Sequence, residues 1–170
     1  ARFQSSNQRI VDSQLIKIKT EEAMPTKYKQ YYLHQRPNGP TTDNDVKVRT
    51  VEVDGLAEGE LLIKNEYFSL DPAIRGWMSD EPSYMPPIEL GDVIRSSTVG
   101  TVVDSRHPDF GVGDIVYGLN GWEEYSLSVG YFLTKVPEDN PFPLHYYLSA
   151  FGAVGLTAYF GIHDAAELKP

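Results

Sequence analysis

Short apolar runs separated by turn-forming residues fill the middle of the chain. Val46 to Val53 reads Val-Lys-Val-Arg-Thr-Val-Glu-Val, a period of two that is typical of a strand with one exposed face. Lys29 to His34 is a second candidate strand, and the more apolar run Glu60 to Phe68, preceded by Gly59, predicts a central strand. Many short strands at this spacing favour a barrel or sandwich over a helical bundle.

Two further β-branched runs continue the pattern, at Val99 to Val103 and Ile115 to Tyr117. After them, Trp122 to Ser128 and Tyr131 to Val136 flank the turn-forming pair Val129-Gly130, which predicts a hairpin between the two segments. The chain is therefore predicted to be mainly β with short helices.

Beyond Pro143 the pattern changes to one with few helix breakers. Leu144 to Phe151 and Leu156 to Leu168 predict two helices, interrupted at Gly152 to Gly155. No tandem repeat or low-complexity tract is visible in the sequence. The end of the chain is thus expected to be helical.

These changes divide the chain into three parts. Residues 1–27 mix charges and amides and are predicted to be a partly disordered extension, with Met24 as a candidate start. A strand docked on the domain is the alternative interpretation of this extension. Residues 28–143 form the predicted β domain, and residues 144–170 form a helical connection. A length of 170 residues fits one such domain.

Charge and composition exclude several classes of function. The 24 acidic and 15 basic residues give a net charge of −9, which repels phosphate backbones and anionic lipids. No apolar run approaches the about 20 residues needed to cross a bilayer. The absence of cysteine excludes disulfides and sulfur-ligated zinc, and fits a reducing compartment. We expect a cytoplasmic protein with neither a nucleic-acid nor a membrane partner.

Common catalytic and nucleotide motifs are missing from the sequence. The four histidines, which lie far apart, show no His-x-x-x-His spacing, so no metal site is predicted. No Gly-x-Ser-x-Gly elbow indicates a serine hydrolase, and no Walker loop or Gly-x-Gly-x-x-Gly indicates a phosphate cradle. A dinucleotide, if used, must be held mainly elsewhere.

Polar and aromatic side chains gather where the predicted central strand ends, in the segment Asn65 to Met78. Tyr67 in this segment, and Tyr84 after it, carry phenols that can donate a hydrogen bond to an oxyanion or pass a proton. Burial as core aromatics is the alternative for both tyrosines. Asp71 and Arg75 can cap and pair along a short helical turn, which would give them a structural role.

The same segment carries a family resemblance. Asn65-x-Tyr67-x-Ser69-x-Asp71-Pro72-x-x-Arg75-Gly76-x-Met78 resembles the signature of the zinc-independent medium-chain reductases, which include plant alkenal double-bond reductases, bacterial curcumin reductase and mammalian prostaglandin reductases. Further matching motifs keep the family's order along the chain: Tyr84-Met-Pro-Pro87, Glu89-Leu-Gly-Asp-Val93, Gly100, Phe110-Gly-Val-Gly-Asp114, Trp122 to Tyr125 and Gly155-Leu-Thr-Ala-Tyr-Phe-Gly161.

This resemblance implies both a fold and a site. The fold is a GroES-like, partly open β-barrel, followed in the family by a Rossmann domain that holds NADPH, with the substrate between the two domains. By the same resemblance, Tyr67 binds the substrate carbonyl, Tyr84 lines the pocket or relays a proton, Arg75 and Met78 shape the pocket wall, and Thr157 lies near the nicotinamide.

The implied function is NADPH-dependent reduction of the carbon–carbon double bond in α,β-unsaturated aldehydes or ketones, without metal. Alternatives are a non-catalytic GroES-like binding or assembly module, and a quinone-reducing or alcohol-oxidising relative. The 170 residues alone are expected to be inactive, since the Rossmann domain of the family is absent from them. A homodimer of the full-length protein is also implied by the resemblance.

Overall fold

The computed structural model describes residues 27–166 and contains two β-sheets, one short helix between strands and further short helical elements towards the C-terminal end of the chain. This architecture confirms the mainly β fold expected from the sequence. The elements in chain order are β1 (Lys27–Leu33), β2 (Val46–Glu52), β3 (Leu61–Phe68), α1 (Pro72–Trp77), β4 (Arg95–Ser105), β5 (Ile115–Gly121), β6 (Tyr125–Ser128), β7 (Leu133–Lys135), a 3-10 helix (Leu144–Leu148), α2 (Ala153–Phe160) and a π-helical turn (Gly161–Ala165).

Antiparallel pairing builds both sheets. β1 and β2 form a two-stranded sheet, and the other strands form a five-stranded sheet in the order β6-β3-β4-β5-β7. Isolated bridges from Gln30 to Glu123 and from Tyr32 to Val93 join the small sheet to the large one. The strands predicted around Val46 and Ile115 are therefore present, and β4 is longer than the predicted Val99 to Val103.

The predicted hairpin between Trp122 to Ser128 and Tyr131 to Val136 is wrong. β6 pairs with β3 and β7 pairs with β5, so the two segments lie at opposite edges of the sheet. A flat five-stranded sheet would separate its edges by about 19 Å, because strands are spaced about 4.8 Å apart. Residues 129–132 reach at most about 18 Å even when extended, and Gly130 and Phe132 have positive φ angles. The sheet must therefore curl, as in a partly open barrel.

Two clusters of buried side chains form the core. One lies inside the large sheet and contains Leu61, Ile63, Val102 and Val116. The other joins β1 to α1 and to the loop before β4, through Leu33, Ile74, Trp77, Met78, Ile88 and Ile94. Each fully buried aliphatic side chain contributes about 1.5–3 kcal/mol relative to exposure, so both clusters stabilise the fold strongly.

The C-terminal helices differ from the prediction at Gly152 to Gly155. The expected break is shorter, because α2 begins at Ala153 with Gly152 as its N-cap and runs through Gly155. A Cβ added at Gly155 would overlap the carbonyl oxygen of Ala150, so this glycine allows a close backbone approach instead of ending a helix. Sequence patterns cannot distinguish these two uses of glycine.

Other expectations lie partly outside the described residues. The predicted extension, residues 1–27, falls outside them except for Lys27, which begins β1. The boundary at residue 143 stays a prediction. Within the part of the chain that the structure describes, no helix has the length and apolar character required to span a membrane.

Candidate functional site

The end of β3 presents Tyr67 at the surface. The first three residues of β3 are buried, and the strand becomes exposed towards Phe68, with a register shift against β4 between Asn65 and Tyr67. Tyr67 is 49% exposed, and its ring meets the ring of His145 edge-on at 5.7 Å. Phe68 instead lies 6.0 Å from Trp122, as expected because successive side chains leave a strand on opposite faces.

A group of hydrogen bonds fixes the chain directly after β3. The indole Nε1 of Trp122 donates to the carbonyl oxygen of Ser69 at 3.0 Å, and the Ser96 hydroxyl donates to the same oxygen at 2.7 Å. The Ser69 hydroxyl donates to Asp71 Oδ2 at 2.5 Å. These contacts hold the segment that links Tyr67 to α1, so the backbone next to the exposed phenol is fixed by hydrogen bonds.

Asp71 and Arg75 both take part in hydrogen bonds, but with different partners. Asp71 is the N-cap residue of α1 and its side chain makes no capping hydrogen bond. Arg75 donates through Nη2 to the carbonyl oxygens of Gly39 at 2.8 Å and Pro37 at 3.0 Å. Arg75 thus fastens the β1–β2 connection to α1, a contact that the sequence did not reveal.

Met78 lies in the core. It is 2% exposed and packs in the same cluster as Leu33 and Ile88. The structure therefore gives Met78 a packing role and gives Arg75 a loop-fastening role. Their contribution to a substrate pocket stays a prediction.

Tyr84 sits on the loop between α1 and β4. Its side chain is 79% exposed, and its ring meets the ring of Trp77 edge-on at 6.1 Å. Within residues 27–166 no ring contact joins Tyr84 to Tyr67, and each tyrosine has a different aromatic neighbour. Neither phenol is buried in the core, so the burial alternative for the two tyrosines does not apply to this structure.

Thr157 lies on the exposed surface of α2. Its hydroxyl donates to the Ala153 carbonyl oxygen at 2.7 Å, which leaves the oxygen lone pairs available to accept a hydrogen bond. The surrounding side chains border an open concavity of about 600 Å³. The residues lining it are Leu156, Thr157, Phe160, Gly161, Asp164 and Ala165.

The sequence did not reveal the contact between Tyr67 and the C-terminal segment. His145 belongs to the 3-10 helix and contacts Tyr67, while Tyr147 lies 4.9 Å from Tyr117 of β5. Together these contacts hold the helical segment against the large sheet. The aromatic run at residues 145–147 was the available signal, but its partners are distant in sequence.

The buried carboxyl group of Glu123 was also not predicted from the sequence. Glu123 is 7% exposed; Gln30 Nε2 donates to its Oε2 at 2.5 Å and the Ser126 hydroxyl donates to its Oε1 at 2.7 Å. Burial raises the pKa of Glu123, although these two hydrogen bonds and Arg49 oppose the increase. Burial and the nearby Glu123 raise the pKa of Tyr28 to about 12. This group connects the two sheets at the bridge between Gln30 and Glu123.

In the described part of the chain, acidic and imidazole side chains do not cluster as metal ligands do. Among residues 27–166, no group of three or more His, Cys, Asp or Glu side chains is placed to hold a metal ion. The metal-free chemistry expected from the sequence therefore stays a prediction about the reaction.

Comparison with known proteins identifies the family of this chain. Residues 29–136 match the family model described as the N-terminal domain of oxidoreductase. The chain belongs to this family of oxidoreductase N-terminal domains. The match includes both predicted tyrosines and the curled sheet that presents Tyr67, and it confirms the resemblance drawn from residues 65–78.

Relatives within the oxidoreductase family carry informative names. NADPH-dependent curcumin reductase from Escherichia coli is 40% identical over 83% of this chain and 41% of its own length. The NADP-dependent 2-alkenal reductase of Nicotiana tabacum is 34% identical, over 83% of this chain and 42% of its length. The crystal structure of CurA in complex with NADPH from Vibrio vulnificus superimposes with a TM-score of 0.76 at 35% identity, covering 83% of this chain and 42% of that one. The chain thus spans about two-fifths of the length of the relatives it matches.

Proposed function

We propose that this chain forms the substrate-side domain of an NADPH-dependent reductase that acts on the carbon–carbon double bond of α,β-unsaturated aldehydes or ketones. The names of the curcumin and 2-alkenal reductases support this reaction class. The observation that carries the proposal is the half-exposed phenol of Tyr67, fixed at the end of a core strand and followed by a hydrogen-bonded segment. A phenol placed in this way can bind a carbonyl oxygen.

Tyr67 would act on the oxygen of the substrate. Bound NADPH supplies the hydride that the β-carbon of the substrate accepts. Negative charge then develops on the carbonyl oxygen, and the Tyr67 hydroxyl donates a hydrogen bond to it. Removing a comparable donor from an oxyanion site costs about 3–4 kcal/mol of transition-state stabilisation, so one fixed phenol is a substantial contributor.

Tyr84 would complete the pocket from the loop between α1 and β4. Its exposed phenol can line the pocket or pass a proton to the α-carbon. Arg75 and Met78 would then support the pocket wall from behind, through the loop that Arg75 holds and the core that Met78 fills. All four roles are proposed from the family resemblance.

The residues of this chain suit the nicotinamide end of NADPH but not its phosphates. Thr157 offers an exposed acceptor oxygen beside an open concavity, which suits the carboxamide of the nicotinamide. The chain carries no glycine-rich phosphate loop, and its net charge of −9 disfavours phosphate binding. We propose that Thr157 contacts the nicotinamide end and that residues outside this chain hold the phosphates.

A substrate panel tests the proposed reaction. The complete polypeptide encoded by the gene is mixed with NADPH and an enal, an enone or a quinone, and NADPH oxidation is followed by its absorbance. We expect oxidation with the enal and the enone. Oxidation with the quinone alone would identify a quinone reductase, and no oxidation with any of the three would favour a non-catalytic module.

The 170-residue chain is the matched control for this assay. We expect it to oxidise no NADPH, because it lacks a phosphate cradle. Turnover by the short chain at the rate of the complete polypeptide would contradict the proposed division of the site. We also propose that the complete polypeptide is a cytoplasmic homodimer, which light scattering and fractionation of cells can test.

A further inference from the structure

The loop that carries Tyr84 is anchored by backbone contacts at its base, and Tyr84 itself is exposed. After α1, the amide of Ile88 donates to the Trp77 carbonyl oxygen at 2.7 Å. Arg36 Nη1 donates to the carbonyl oxygens of Met78 at 3.0 Å and Ile88 at 3.1 Å. Between these anchors Tyr84 is 79% exposed, so few contacts determine where its phenol lies.

Arg95 contacts this loop from the first position of β4. Its Nη1 donates to the carbonyl oxygen of Pro86, two residues after Tyr84, at 2.8 Å. Its guanidinium carbon also lies 5.9 Å from the centre of the Trp77 ring. Trp77 is 9% exposed, and its ring is the aromatic neighbour of Tyr84 at 6.1 Å. One side chain thus touches the backbone beside Tyr84 and the ring that supports it.

Arginine suits both contacts at once. A planar guanidinium can lie against an aromatic ring and still donate hydrogen bonds in its own plane, whereas a lysine ammonium is a single compact charge on a flexible stem. A lysine at this position would keep the charge but would not match both geometries. The effect of Arg95 should therefore depend on its shape as well as on its charge.

We propose that Arg95 is a positioning residue for Tyr84. It holds the loop of residues 79–90 against Trp77, and so keeps the Tyr84 phenol at the substrate pocket. This inference rests on the proposed function, since it assumes that Tyr84 contacts the substrate. Arg95 itself is not proposed to touch the substrate or the cofactor.

Native-state proteolysis tests the positioning without any catalytic assay. Chymotrypsin cuts after exposed aromatic residues, and both Tyr84 and Tyr131 are exposed. In the complete polypeptide, Arg95→Met is expected to speed cleavage after Tyr84 about 5-fold, because the loop opens more often. Cleavage after Tyr131 serves as the internal reference and should not change. Arg106→Met, a change of the same kind at an exposed arginine, is the matched control.

A double-mutant cycle tests whether Arg95 acts through Tyr84. We expect Arg95→Met to raise KM for the enal about 5-fold with a smaller change in kcat, and Arg95→Lys to recover only part of this loss. In a Tyr84→Ala background the same Arg95 change should have no further effect on KM. The cycle therefore separates positioning from a general loss of structure.

Two results would overturn the proposal. One is an unchanged rate of cleavage after Tyr84 in Arg95→Met, which would show that Arg95 does not hold the loop. The other is an equal rise in KM in both Tyr84 backgrounds, which would show that Arg95 acts by another route. If the unmodified polypeptide reduces no substrate, the proposed function has failed, and the cleavage rate alone then decides whether Arg95 holds the loop.

Discussion

Gly100 is a position in the large sheet where a single methyl group should damage the fold. It lies on β4 opposite Asn65 of β3. A Cβ built at Gly100 would overlap the carbonyl oxygen of Lys64 and lie 2.9 Å from the Cα of Asn65. Both atoms belong to the backbone of β3, which pairs with β4 on one side and β6 on the other. The strand therefore cannot move away without losing pairing.

The expected cost of Gly100→Ala follows from this arrangement. Overpacking a core costs about 1–3 kcal/mol, and we expect about 3 kcal/mol here because the obstacle is paired backbone and not a flexible side chain. Breaking one ladder hydrogen bond would add about 1 kcal/mol. The register shift that precedes Tyr67 lies beside this contact. The variant should therefore disturb Tyr67 as well as lower the free energy of unfolding.

Urea unfolding of the purified chain, followed by circular dichroism, measures the effect. Gly76→Ala is the matched control, because a Cβ built at Gly76 meets no heavy atom within 4 Å and the residue lies in α1. An alanine in a helix is more favourable than a glycine by about 0.5–1 kcal/mol, so this control should be stabilised. A free energy of unfolding for Gly100→Ala within about 0.5 kcal/mol of the unmodified chain would refute the close approach of β3 and β4.

Three further predictions concern single side chains. Tyr67→Phe in the complete polypeptide should lower kcat/KM for an enal at least about 10-fold, or about 1.4 kcal/mol, and an unchanged value would remove Tyr67 from the mechanism. Because burial raises the pKa of Glu123, the folded chain binds this proton more tightly than the unfolded chain, and stability from this group falls as the pH rises above about 4.5. In urea titrations Glu123→Gln should therefore gain stability relative to the unmodified chain as the pH rises from that value through the raised pKa, and a constant difference would contradict this. Hydrogen bonds from Lys135 and the Gly111 amide lower the pKa of Asp114. The ionised carboxylate therefore stabilises the fold above the ordinary aspartate pKa, and this stabilisation is lost as the pH falls through the lowered pKa. Asp114→Asn should flatten the acid side of the stability profile, and an unaltered acid midpoint would speak against the pair.

Local patterns in the sequence predicted the strands well, because each one is encoded by its own residues. The alternation at Val46 to Val53 and the apolar run at Glu60 to Phe68 became β2 and β3 almost at the predicted bounds. The segment around Tyr67 was singled out from the sequence because polar and aromatic side chains directly after a core strand are unusual. It also carried the family resemblance, and the roles of its side chains stay predictions. The curcumin and 2-alkenal reductase relatives agree with that identification of the family.

Pairing between distant strands could not be predicted in the same way, because it depends on the shape of the whole sheet. The four residues between β6 and β7 look like a hairpin turn, yet these strands end at opposite edges of a sheet that curls. Gly100 shows the same limit, because it is needed where the backbone of Lys64 and Asn65 comes close, and these residues are distant in sequence. The contacts that orient the proposed site, His145 on Tyr67 and Arg95 beside Tyr84, are likewise long-range. Candidate chemical groups for such a site can therefore be proposed from sequence, but their positions depend on how the sheet curls.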